Sequence, residues 1–160
     1  MDKGIDRRGF LATSFGFIVH ALQRSSYSRL LFSPCHCWVR ISKNRARIGL
    51  SEYAVRELGD MVFVELPEPG TVYAAGEAFG TLEAVKTVAN LVCPVTARIV
   101  RVNAALAESP HLLNESPMEA GWLCEIKLTS SSSLEGLMDL GAYERYVKQP
   151  NNQCQAVYPS

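Results

Sequence analysis

The residue best placed to do chemistry in this sequence is a single lysine. It lies in Gly80-Thr81-Leu82-Glu83-Ala84-Val85-Lys86-Thr87-Val88, where Lys86 occupies the corner between two apolar runs. A lysine at such a bend is held out into water. An ammonium in water is protonated at neutral pH and is a poor nucleophile, so acylating it takes an enzyme that docks the bend and removes the proton. The bend must then present a recognisable shape, and Glu83, Ala84, Val85 and Thr87 are the side chains that would define it. The same window also suits an ordinary surface lysine, because most lysines are solvated. Glu83 has no partner carboxylate nearby in sequence, so it reads as a recognition group and not as a general base.

The other chemistry-bearing residues point to no independent enzyme. The five cysteines, Cys35, Cys37, Cys93, Cys124 and Cys154, have no CxxC spacing, and an odd number cannot all pair within one chain. Packed thiols in a reducing compartment are the simpler expectation. Cys35-His36-Cys37 has metal-ligand residue types, but alternate residues of a strand face opposite ways, so the three side chains are not expected to converge. Phe79 and Trp122 offer stacking surfaces and are read as scaffold. Paired carboxylates, a nucleophile with its base, and a phosphate-binding loop are not found.

The elements that must hold Lys86 read as mostly β. In 160 residues, 48% of them hydrophobic, one core is affordable, and sixteen basic residues balance sixteen acidic ones. That balance disfavours nucleic acid and anionic membranes as partners. Ser51 to Leu58 starts with a capping serine and stops at Gly59-Asp60, which predicts a two-turn helix. Strands are expected at Met61–Leu66, Val72–Ala74, Ala78–Leu82, Lys86–Val92, Ala97–Val102 and Trp122–Leu128, with a corner over 83–86. Leu134, Leu137, Met138, Leu140, Tyr143, Tyr146 and Val147 recur at helical spacing, interrupted by Gly141, predicting one bent helix or two short ones. Such short strands favour a sandwich or flattened barrel. The expected class is a barrel-sandwich hybrid of small antiparallel sheets with short flanking helices.

Residues 1–33 differ in composition. Arg7, Arg8, Arg24 and Arg29 stand among serines and an apolar run from Phe15 to Leu22 that is too short to span a bilayer. A mitochondrial presequence, a functionless extension and a twin-arginine export signal all remain open readings, the first being favoured. Residues 34–148 are expected to form the domain and 149–160 a flexible tail.

Several segments together resemble the glycine cleavage H proteins. They are His36-Cys37-Trp38-Val39, Ile48 to Ala54, Leu58 to Gly70, Gly76 to Gly80, Glu83-Ala84-Val85-Lys86, Val102 to Pro110, Leu113-Asn114 and Gly121-Trp122-Leu123. The resemblance implies that Lys86 carries lipoic acid in amide linkage, as N6-lipoyllysine. It also implies a non-catalytic shuttle, expected to be a monomer when free. That shuttle takes an aminomethyl group from a pyridoxal-phosphate glycine decarboxylase to a tetrahydrofolate-dependent aminomethyltransferase, and its dithiol to dihydrolipoyl dehydrogenase. A lipoate-attaching enzyme is the fourth implied partner, and the matrix of mitochondria the implied compartment, with bacterial cytoplasm as the alternative.

The sequence departs from the family pattern where carboxylates are usual. Cys37 follows His36, and Asn90 lies four residues after Lys86. With His36, these two would line the cleft in which the family's loaded arm rests, and carboxylates there would pair its amine. Ala84, Ala97 and His111 depart from the pattern as well. A diverged H-like protein that relays lipoate or serves only in interaction is therefore kept as an alternative. A lipoyl domain of a 2-oxo acid dehydrogenase complex is the other, although Val85 stands where those domains have Asp before the lysine.

Overall fold

A computed structural model describes residues 28–130, 132–152 and 154. Nine strands and four short helices are found among them: β1 (Ser28–Phe32), β2 (Cys37–Ser42), β3 (Arg45–Leu50), α1 (Glu52–Leu58), β4 (Met61–Glu65), β5 (Val72–Tyr73), β6 (Ala78–Ala84), β7 (Val88–Val92), β8 (Ala97–Val102), α2 (Ala105–Glu108), α3 (Leu112–Glu115), β9 (Cys124–Leu128) and α4 (Leu140–Tyr146). They form two antiparallel sheets, one of six strands in the order β1-β2-β3-β9-β8-β5 and one of three in the order β4-β6-β7. The expected barrel-sandwich architecture is thus the one observed. The presequence reading lies outside the described residues for 1–27, but β1 begins at Ser28, so the folded body starts before the expected boundary at 34.

Strand alternation explains how the sheets meet. Val39 and Ile41 of β2, Ala46 and Ile48 of β3, Ile99 of β8 and Ile126 of β9 point inward and share one core with Leu82, Ala89 and Leu91 of β6 and β7. Each sheet therefore keeps an outer face. The β2–β3 hairpin closes on Lys43 and Asn44, with Lys43 at φ 57°, the left-handed first position that tight hairpin turns of the primed type use.

Trp38 and its neighbours form a second, smaller cluster with Phe32 and Tyr143. The indole lies across Gly49, its cross-strand partner, so closely that a Cβ there would collide with Cζ2. Its Nε1–H donates to the Pro117 carbonyl at 2.9 Å, which fixes the ring. Tyr143 stacks on Phe32 with ring centroids 4.4 Å apart and seats α4 against β1.

Three expectations about elements need correction. The helical stripe from 134 is helical only over α4. Gly136, at φ 84°, breaks it, whereas Gly141, the expected interruption, lies inside α4, which Asp139 caps by accepting from the Ala142 N–H at 2.8 Å. Upstream of that cap, Met138 is extended and exchanges both backbone hydrogen bonds with Phe32 at 2.8 Å. The expected tail is also shorter, because Asn152 is buried and Cys154 is bonded to Cys35 in a disulfide. That disulfide corrects the expectation of packed thiols, which now holds only for Cys37, Cys93 and Cys124. Helix α1 matches its prediction: Ser51 Oγ accepts from the Ala54 N–H at 3.2 Å, and the Gly59 N–H bonds Val55 O.

Candidate functional site: the β6–β7 hairpin

Lys86 sits at the tip of the β6–β7 hairpin and is exposed. Ala84 and Thr87 close the turn, with Ala84 N–H donating to Thr87 O at 2.8 Å and Thr87 N–H to Ala84 O at 3.4 Å. Val85 and Lys86 alone form the loop. Its other fixing point is the Val85 N–H, which donates to Asp60 O at 3.0 Å and ties the tip to the entry of β4. The corner is therefore later than the sequence suggested, since Glu83 and Ala84 still belong to β6 and β7 starts only at Val88. Ala84 is buried beneath the tip, so its methyl packs in the core while Lys86 is displayed.

The surface around the amine is apolar and outward. Val85 is 70% exposed, Val88 54% and Phe63 49%. Phe63, Glu83 and Val88 lie in one cross-strand row over β4, β6 and β7. A bulge creates this row, because Met61 and Phe63 oppose the consecutive residues Ala84 and Glu83, leaving Val62 unpaired. Without the extra residue Phe63 would share the inward face of Met61. Sequence reading missed Phe63 for this reason: a bulge breaks the period of two and leaves no residue-type signal.

His36 and Cys37 are not on this surface. Both are buried, His36 at the left-handed φ of 65°. The Asn152 carbonyl lies 2.8 Å from Nε2 and can only accept, so Nε2 carries a proton and Nδ1 accepts from the Tyr143 hydroxyl at 2.8 Å. Ser51 Oγ, 2.7 Å from the same hydroxyl, supplies its donor. Burial lowers the His36 pKa, outweighing the opposing effects of the Asn152 carbonyl and the Glu57 charge, and keeps the ring neutral. The Cys37 thiol donates to Val92 O at 3.6 Å, and burial pushes it up to about 12. Asn90 is half-buried on β7 opposite Thr81. With two of the three enclosed, the expected cleft of His36, Cys37 and Asn90 is not an open one. His36 instead joins α1, α4 and the C-terminal segment, and the Cys35–Cys154 disulfide secures the same junction. Phe79 is core, whereas Trp122 is half-buried on the outer side of the larger sheet.

Residues 30–150 match the family model described as glycine cleavage H-protein. The chain belongs to that family. A glycine cleavage system H protein of Brevibacillus brevis is 46% identical over 120 residues, covering 75% of this chain and 95% of the relative. One from Herpetosiphon aurantiacus is 44% identical over 124 residues, covering 78% and 95%. Among solved structures, the glycine cleavage system H protein of Mycobacterium marinum aligns with a TM-score of 0.69 at 32% identity, covering 75% of this chain and 97% of that one. As a member of the H-protein family, the chain keeps its extension upstream of residue 30 outside the family match.

Proposed function

We propose that this chain is the lipoyl carrier of a glycine cleavage system and that Lys86 is its attachment site. The observation that carries the reading is the hairpin: one exposed primary amine at a two-residue tip held by the Ala84–Thr87 pair and the Val85–Asp60 bond. Its residues fit the group. The amine faces solvent, and the strands below are fixed in the core. When attached, lipoate supplies a dithiolane that accepts and releases the aminomethyl group and cycles between disulfide and dithiol. The chain's part is positional. The hairpin keeps the end of the arm at high effective concentration near whichever enzyme is docked.

Phe63, Val85 and Val88 form the apolar collar that a lipoate-attaching enzyme would grip, with Glu83 beside it as a charged register mark. The chain contributes no catalytic group of its own in this reading. Its partners are the glycine decarboxylase, the aminomethyltransferase, dihydrolipoyl dehydrogenase and the attaching enzyme. The relatives named above are bacterial, so they lend support to the cytoplasmic alternative and none to mitochondrial import.

The deciding experiment is intact-mass and peptide mass spectrometry of the protein from its native, lipoate-replete host. A lipoyl increment on Lys86 is expected; its absence there refutes the proposal. The enclosed Cys37 favours one second reading, a diverged chain that is lipoylated to relay the cofactor and holds no loaded arm. Glycine–bicarbonate exchange with purified partners separates the two, because a relay protein would carry lipoate and support no exchange.

A further inference from the structure

The outer face of the six-stranded sheet is far more basic than the chain as a whole. Strands β2, β3, β9 and β8 carry Arg40, Arg45, Arg47, Lys127, Arg98 and Arg101 against one carboxylate, Glu125. Register places them in two cross-strand rows, Arg40-Arg47-Glu125-Arg101 and Ser42-Arg45-Lys127-Arg98. Their strand neighbours Ala46, Ile99 and Ile126 face the core shared with the β6–β7 hairpin, so the cations point away from the smaller sheet. Arg101 reaches this face because of a bulge. Ile99 and Arg101 oppose the consecutive residues Ile126 and Glu125, and the extra Val100 turns Arg101 to the side of Arg98.

One carboxylate serves three guanidinium groups. Glu125 lies 3.0 Å from Arg45, 3.1 Å from Arg101 and 3.8 Å from Arg47. Burial works to raise its pKa, but the hydrogen bonds and charges of Arg45 and Arg101 outweigh it and hold the carboxyl below its ordinary value. Arg40 is paired separately, with Glu119 at 3.1 Å, and Arg98 donates to Gly70 O at 3.2 Å, so two carboxylates stand among the six cations. Trp122 lies between two of them, with Arg47 Cζ 4.9 Å and Arg101 Cζ 5.3 Å from its ring. Next to it, an open concavity of about 540 Å³ is lined by Arg40, Lys43, Arg45, Arg47 and Glu125.

We propose that this face is a docking surface for a carboxylate-rich protein surface, belonging to one of the enzymes that the Lys86 arm visits. Naming that partner rests on the carrier reading, while the face itself does not. Three observations select a protein over a phosphate polymer. Glu125 already shows how a carboxylate seats among these guanidinium groups. Arginine around a partly exposed tryptophan is the composition of protein interface centres. A chain of zero net charge has no long-range field with which to gather a polyanion.

The test measures binding of the full chain to the purified decarboxylase, aminomethyltransferase and dehydrogenase of the same host at about 50 and about 200 mM salt. Wild type and Arg98→Glu/Lys127→Glu, both in unlipoylated form, are compared, with thermal melts as a fold check and Arg47→Ala as the second variant should the double one melt early. For at least one enzyme, charge reversal is expected to weaken binding by about tenfold or more, and added salt to weaken wild type but not the variant. Trp122 emission should shift on binding. Equal binding by the charge-reversed chain, or no binding of wild type to any of the three, overturns the proposal. So does a preference for duplex DNA over poly-L-glutamate as competitor, or self-association abolished by the charge reversal. Because both chains are unlipoylated and differ only on this face, the difference between them reports on the face, while mass spectrometry of Lys86 reports on the carrier reading.

Discussion

Exchanging two neighbouring residues, Lys86→Thr with Thr87→Lys, tests whether the tip geometry selects the amine. Composition, charge and hairpin length are unchanged. The Cα of the lysine moves by about 3.8 Å, one peptide unit. It also moves from the displayed loop to Thr87, the half-buried closing residue whose carbonyl accepts from Ala84 N–H. Misplacement of a reacting group by about 1 Å costs on the order of 100-fold in rate, so the exchange should slow lipoylation by at least about 100-fold. In activation free energy that is at least about 2.7 kcal/mol. The assay is timed lipoylation by the host's attaching enzyme, quenched and read by peptide mass spectrometry, with circular dichroism to confirm the fold. Modification of the exchanged chain within about threefold of the wild-type rate would show that any nearby lysine suffices, and the positional argument would be wrong.

Other expectations concern the scaffold. Gly49→Ala drives a methyl into the fixed Trp38 ring and should cost about 1–3 kcal/mol, read as a lower urea midpoint; an unchanged midpoint would mean the ring is free to move. His36 is held neutral by burial, so the unfolded chain binds the proton first as pH falls below about 6.5 and the fold loses stability from there down to the lowered folded value. His36→Asn, which tolerates the left-handed backbone, should flatten that part of the urea midpoint–pH profile; a profile as steep as wild type would contradict the assignment. With Cys35 and Cys154 joined and three buried thiols, the native protein should react with no equivalent of a thiol reagent, the denatured protein with three and the denatured, reduced protein with five. Cys154→Ser, which opens a link across 119 residues of separation, should lower unfolding stability by about 2–5 kcal/mol under non-reducing conditions; a change below about 1 kcal/mol would show that the link is not formed in solution.

Elements with local signals were legible in the sequence. Ser51 and Gly59 bound α1 through capping, and the turn residues between strands located β4 to β9 to within a few positions. Lys86 stood out because a charge between two apolar runs has few places to go. What could not be read depends on pairing. The bulges at Val62 and Val100 are defined only against a partner strand, so the exposure of Phe63 and Arg101 had no local sign. The enclosure of His36 requires Tyr143 and Asn152, more than a hundred residues away in sequence. Cys35 and Cys154 are likewise neighbours only after folding, which is why counting cysteines suggested free thiols.

The extra residue at Val62 has a meaning for how such a chain can change over time. It sets the direction of position 63 through the number of residues in the strand, whatever side chain that position bears. A single base change there can alter what a client enzyme feels beside the amine while the backbone stays as it is. Loss of one codon at 62 would turn that position toward the interior. Client choice is thereby open to gradual drift by substitution and guarded against change by deletion.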